Sequence, residues 1–491
     1  MHMRLIILMI SLVIGLVGVP RVIAQDLLGG SPNSLPDLGD SSASVMSPSM
    51  ERRIGEEAMR QIRARDPNYV DDPELSDYLN VIGRKLVGVS GGKVQDFEFF
   101  AIRDDTVNAF AMPGGFVGVH TGLLLAAQTE SELASVLAHE VSHVTQNHIA
   151  RLVGRQSQLS AISIAGLLVA LLASRSGSRG DLGQAALIAS QGGAIQAQLG
   201  YTREFEREAD RNGFRILQSA GFDANGMVSF FDRLQKATRT YENNAPSYLR
   251  SHPLTVERIA DIQDRVQGTS YRQYQDSLEF HFHKSRLRAQ QGAARDAVTY
   301  FQSQLEAKRY LNEAGARFGL VSALIRARNY KSAEVELTRL RNLIPLHAML
   351  DLLAVRIRAE SGDIKGAADL AKAMLTSDPQ QRPLRHQYAQ SLQRLGQHQD
   401  ALGELTTLGR DYPKDSRVFQ MQAQSYAATG QRLLQHRAQA EAYFLQGAVP
   451  SAIEQLQMAQ RLGEGDFYLL SSIDARLREL RQMLANEDKR R

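Results

Sequence analysis

The chain has 491 residues, enough for about three domains of common size, so a single small module is excluded. Lys and Arg number 57 against 53 Asp and Glu, and the net charge of +4 is too small to argue for a nucleic-acid footprint; hydrophobic and charged shares of 43% and 22% are those of a globular chain. With no cysteine, disulfides, thiolate ligands and a Cys nucleophile are excluded, which leaves metal or acid–base chemistry to His, Asp and Glu.

Residues 1–24 read as a cleavable secretory signal: an apolar run from Leu5 to Val19, then Val22 and Ala24 at the −3 and −1 positions of a cut before Gln25. The run is short for a membrane span of about 20 residues, so export to the periplasm is expected. Residues 25–50 are rich in Gly, Ser, Pro and Asp and read as a flexible leader. From there to residue 268 helical patterns surround strand-like stretches at Phe97–Ile102 and Ala109–Val119, broken by Pro113-Gly114-Gly115, which predicts an α+β domain, mostly helical with a small sheet. Gly114–Val119 suits an exposed edge strand, in which Gly115, Phe116 and Val117 would pair with an extended substrate backbone; an ordinary hairpin strand is the alternative.

The sharpest motif is His139-Glu140-Val141-Ser142-His143 within the run beginning Glu132-Leu133-Ala134. On a helix, residues four apart share a face, so both imidazoles point to one place and can hold Zn²⁺, while Glu140 can deprotonate a water there. The same five residues also occur as two plain helix-surface histidines. A third ligand is needed, and His148 is a poor one, because five residues past His143 turn it off the ligand face. Further on, Glu206 and Asp210 lie four apart in Arg203-Glu204-Phe205-Glu206-Arg207-Glu208-Ala209-Asp210. If that helix faces the first, Glu206 completes a His₂Glu site and Asp210 orients an imidazole; a solvated charged helix is the other reading.

Between these motifs the stretch Leu159–Ala173 is apolar all round and must be covered, either as a buried or cleft-covering helix or by peripheral contact with a membrane surface. His252, in Ser251-His252-Pro253, can be a fourth zinc ligand that closes the site or a surface histidine beside a helix.

From residue 275 to 480 the chain is helical and repetitive. Pro345, Pro379 and Pro413 are 34 apart, as are Arg328, Gly362, Gly396 and Gly430, and a small residue follows the turn by five positions at Ala333, Ala367 and Ala401. The pattern resembles the tetratricopeptide repeat, an all-α solenoid with a concave face for protein partners. Gln435 replaces the expected Ala, and Gly447 is offset by half a repeat, so a skipped or distorted helix is expected near the end.

The segments Asn108-Ala-Phe-Ala-Met-Pro-Gly-Gly, Gly118-Val-His-Thr-Gly-Leu, His139-Glu140-Val-Ser-His143 and Glu206-Arg-Glu-Ala-Asp210 resemble the gluzincin peptidases of the HtpX/CAAX-protease type over residues 51 to 266. With the signal and the repeats, the whole is most similar to the β-barrel assembly-enhancing protease type. The resemblance implies a zincin fold, one Zn²⁺ held by His139, His143 and Glu206, Glu140 as general base and Asp210 as supporting acid. It also implies partners: unfolded or assembling outer-membrane proteins and their assembly machinery, met through the repeats. A non-enzymatic chaperone or scaffold with a latent protease domain is the competing function.

Overall fold

The computed structural model describes residues 46–92, 96–155, 203–240, 247–269, 274–463 and 465–488. The signal and the apolar stretch Leu159–Ala173 lie outside the described residues. Helix α1 (Pro48–Arg65) starts at Ser47, whose hydroxyl caps the Met50 N–H, and it buries Ile54, Ala58, Met59 and Ile62 at helical spacing. Helix α2 (Pro73–Val87) starts at Asp72, whose carboxylate accepts from Glu74 N–H and Leu75 N–H.

Three strands follow: β1 (Glu98–Ile102), β2 (Ala109–Met112) and β3 (Phe116–His120). Their order is β1-β3-β2, with β1 parallel to β3 (Glu98 opposite Phe116) and β2 antiparallel to it (Ala109 opposite Val119). This overturns the expected edge strand. Phe116 and Val117 are buried in the central strand, its backbone paired on both sides, and the Gly115 carbonyl accepts from Glu98 N–H, so these residues cannot add a substrate strand. The outer side of β1 is also covered: Asn80 bonds both the N–H and C=O of Phe99, and Val70 N–H reaches Ala101 O. Among the described strands, β2 carries the open edge.

After the short α3 (Thr121–Ala126) comes α4 (Glu130–Thr145), capped by Thr129 and buried at every residue from Glu130 to Val144. It is wrapped by α2, β2, α6 (Arg203–Ser219) and α7 (Asn225–Thr240), so its polar side chains, Glu132, Ser135, His139 and His143 among them, are buried along with the apolar ones. Helix α6 comes close because position 213 is Gly; a Cβ there would stand 3.1 Å from the His139 backbone. Helix α5 (His148–Arg155), the five-residue α8 (Ser247–Ser251) and α9 (Val256–Gln267) complete this part.

The repeats run through α10 (Leu278–Gln290), α11 (Ala294–Glu306), α12 (Glu313–Arg326), α13 (Tyr330–Leu343), α14 (Ala348–Ser361), α15 (Ile364–Ser377), α16 (Arg382–Arg394), α17 (His398–Asp411), α18 (Ser416–Ala428), α19 (Arg432–Leu445), α20 (Val449–Leu462) and α21 (Phe467–Asp488). Arg328, Gly362, Gly396 and Gly430 take positive φ in the turns, and Pro345, Pro379 and Pro413 fall just past α13, α15 and α17. The expected distortion near the end is absent: α18, α19 and α20 are regular. The offset Gly447 has a tertiary cause, since its turn presses on α1 and a Cβ there would sit 2.0 Å from Arg60 O.

The repeats are fastened to α2 by ion pairs. Arg286 of α10 reaches Asp72 and Glu74, both at 2.8 Å; Arg356 of α14 also pairs with Glu74, and Arg382 of α16 bridges Asp77 (2.8 Å) and Asp415 (2.7 Å).

Candidate metal and active site

Helix α4 places the side chains of His139 and His143 one turn apart, and α6 lays Glu206 against them. The Nε2 atoms of the two histidines are 3.0 Å apart, and Glu206 oxygens lie 3.5 Å from each. His252, just past α8, brings Nδ1 to 2.9 Å from Glu206 Oε1 and 3.3 Å from His139 Nε2. One atom from each of the four residues falls within 4.8 Å of the others. A tetrahedral ion with bonds of about 2.0–2.1 Å keeps its ligands roughly 3.3 Å apart, so these spacings fit a single metal ion.

The electrostatics agree. Burial opposes a charged His139, yet Asp210 and Glu206 push it up to about 10. Burial alone would raise Glu206, but His252, His139 and His143 hold it well below the usual range, while burial takes His143 well below its own. Such a pocket favours a cation. Glu140 is wholly buried, and burial pushes its carboxyl up against the pull of His252 and His139. Neither of its oxygens is in hydrogen-bond geometry with a donor; His252 Nε2 stands 3.5 Å away. His252 thus stands between Glu140 and the other three members of the cluster, its ring stacked on Tyr248 at 4.7 Å.

A second layer holds the first. Asp210 Oδ1 lies 3.0 Å from His139 Nδ1, which leaves Nε2 for the cluster. Arg258 of α9 makes two bonds to Asp210 (2.6 and 2.8 Å), reaches Glu206 Oε2 at 2.8 Å and donates to Pro253 O at 2.7 Å. His148 stays outside the four-residue cluster and lies on the far side of His143, Nδ1 to Nδ1 at 2.8 Å, where Phe205 stacks on it. Asn147, with φ of 52°, makes the turn that puts it there. Sequence reading missed Arg258 and Tyr248, since both reach the site from elements without a local signal.

The region 73–266 matches the model of Peptidase family M48, and 358–425 that of the tetratricopeptide repeat. The chain is 32% identical over 461 residues to the Escherichia coli (strain K12) beta-barrel assembly-enhancing protease, covering 92% of each chain. It belongs to the beta-barrel assembly-enhancing protease family. A putative beta-barrel assembly-enhancing protease of Vibrio cholerae is 33% identical over 452 residues, 91% of this chain and 92% of that one. The mitochondrial metalloendopeptidase OMA1 of Schizosaccharomyces pombe matches over 44% of this chain and 60% of its own length, at 28% identity. As a member of this family the chain is a metallopeptidase with a repeat region, and among its described residues no helix is long and apolar enough to cross a membrane.

Proposed function

We propose that this is a periplasmic zinc endopeptidase, exported by residues 1–24, that assists the assembly of outer-membrane β-barrel proteins and degrades misfolded ones. Its peptidase domain spans 51–268 and its repeats 275–480; the repeats hold clients and assembly machinery and lend chaperone activity. The reading rests on the convergence of His139, His143, Glu206 and His252 beside the buried Glu140, and its client class on the names that the relatives carry. Three imidazoles and one carboxylate form a nitrogen-rich set that suits zinc.

Bound there, zinc supplies a Lewis acid for the scissile carbonyl and lowers the pKa of water. Glu140 takes the proton of the attacking water and hands it to the leaving amine. Asp210 fixes the His139 tautomer, and Arg258 braces Asp210 and Glu206. The edge of β2, which packs against α4, takes the substrate backbone.

His252 is the gate. If all four residues held one zinc, no position would remain open, as in structural rather than catalytic zinc sites; every member of the cluster is about 1% exposed. This closed arrangement also favours a second reading, a chaperone scaffold whose protease is latent until His252 leaves. Elemental analysis of the purified mature chain tests the centre: one zinc per chain is expected, with loss in both His139→Ala and Glu206→Gln. Zinc unaffected by Glu206→Gln removes that ligand. Glu140→Gln is expected to cut peptide hydrolysis by about 10²–10⁴-fold while zinc and client binding persist; persistent hydrolysis makes another residue the base.

A further inference from the structure

Between the inner helices of the repeats and the wall of the peptidase domain lies a cavity of about 930 Å³, separate from the metal cluster. One side is built by α16 and α18, which turn one helical face each into it: Gln387, Gln390 and Arg394 from the first, Gln420 and Gln424 from the second. The other side is the segment Tyr69–Glu74 with Arg103.

Its charge is unbalanced. Five arginines line it against three carboxylates, Asp71, Asp72 and Glu74. Those three are already taken: Asp72 and Glu74 by Arg286, Glu74 also by Arg356, and Asp71 by Arg417 at 3.5 Å. Arg394 donates to the neutral Ala359 carbonyl, and no acidic group among the described residues pairs with it or with the exposed Arg103. Two positive charges on opposite walls therefore remain unanswered. The glutamines add primary amides that donate and accept at once, as the peptide groups of an extended chain require, without regard to side chains.

We propose that this cavity is a receptor for an extended, acidic segment of a partner protein, its backbone laid along the glutamine faces and its carboxylates met by Arg103 and Arg394. The site extends the client-binding half of the function given above and does not rest on its catalytic half. It sorts partners by charge, whereas the β2 edge pairs with any extended backbone.

The test uses the full mature chain carrying Glu140→Gln, so that binding is read without cleavage. Two short fluorescein-labelled peptides of equal length, Gly and Ser with either Asp or Lys at the same positions, are titrated by fluorescence anisotropy. The acidic peptide is expected to bind, more weakly as salt rises, and the basic one to fail. Arg103→Glu with Arg394→Glu is expected to weaken the acidic peptide roughly tenfold or more, since two attractive contacts become repulsive. Arg103→Glu alone, at an exposed side chain, repeats the test if the double variant melts early. Equal affinity for both peptides, no binding of the acidic one, or unchanged affinity in a folded charge-reversed variant overturns the assignment. None of these outcomes bears on hydrolysis by the chain with Glu140 intact.

Discussion

Replacing Arg258 by Leu tests the account of the site's inner scaffold. The residue is 2% exposed, and its guanidinium carries two bonds to Asp210, an ion pair to Glu206 and a bond to the Pro253 carbonyl next to His252. Removing one partner of a buried ion pair costs about 3–5 kcal/mol, because the other charge stays buried without compensation. Here two carboxylates, each 1% exposed, lose their arginine and are left to the histidines of the cluster alone. For a domain of this size that corresponds to a fall in melting temperature of roughly 6–20 °C. A bound cation offsets part of the excess negative charge, so the loss is larger after chelation than with metal present. Metal affinity falls about 10–100-fold, as when the support of a ligand is removed. The measurements are thermal unfolding by circular dichroism of the full chain, with and without chelator, and competition for zinc against a chromophoric chelator. A shift below about 2 °C in both states, together with unchanged zinc affinity, would refute the bracing role.

Three further outcomes are expected. His252→Ala opens a coordination position and the space beside Glu140, so hydrolysis of an unfolded protein rises severalfold while zinc is retained; unchanged or lower hydrolysis counts against the gate. Gly447→Ala forces a Cβ into Arg60 O at a residue with φ of 80°, costing about 1–3 kcal/mol and exposing the α19–α20 turn to limited proteolysis; wild-type resistance rejects the contact with α1. His283, stacked on Tyr78, is lowered by burial and by Arg286 to about 3, against the opposing pull of Glu74, Asp72 and Glu279. Its folded value lies below the unfolded one, so the unfolded chain binds the proton more readily. Stability therefore falls as pH drops below about 6.5, by about 1.4 kcal/mol per unit down to about 3, and His283→Phe should flatten that part of the urea-denaturation profile.

What could be read in advance was what is local. The four-residue spacings of His139 and His143, and of Glu206 and Asp210, carry their meaning on any helix, and the 34-residue cadence needs no partner. That α6 would lie on α4 depended on a close approach at Gly213. The sheet was misread because Gly114–Val119 looks the same at an edge or in the centre, and only the parallel pairing with β1 distinguishes them. Gly447 was misread in the same way: within the repeat it is an irregularity, and against α1 it is a fitted contact. Arg258 and Tyr248 act through side chains aimed across the fold, which no spacing along the chain encodes.

The stitch between Arg60 and Gly447 also sets an order of events. Exported N-terminus first, as proposed, the chain delivers α1 well before the turn that it meets. Throughout that interval α1 lacks its final contact, and the arginines that fasten α2 arrive one helix at a time. His252 precedes every repeat helix in the chain, so the residue beside Glu140 arrives before the repeat surface exists. A molecule still being delivered can be shut before it can grip.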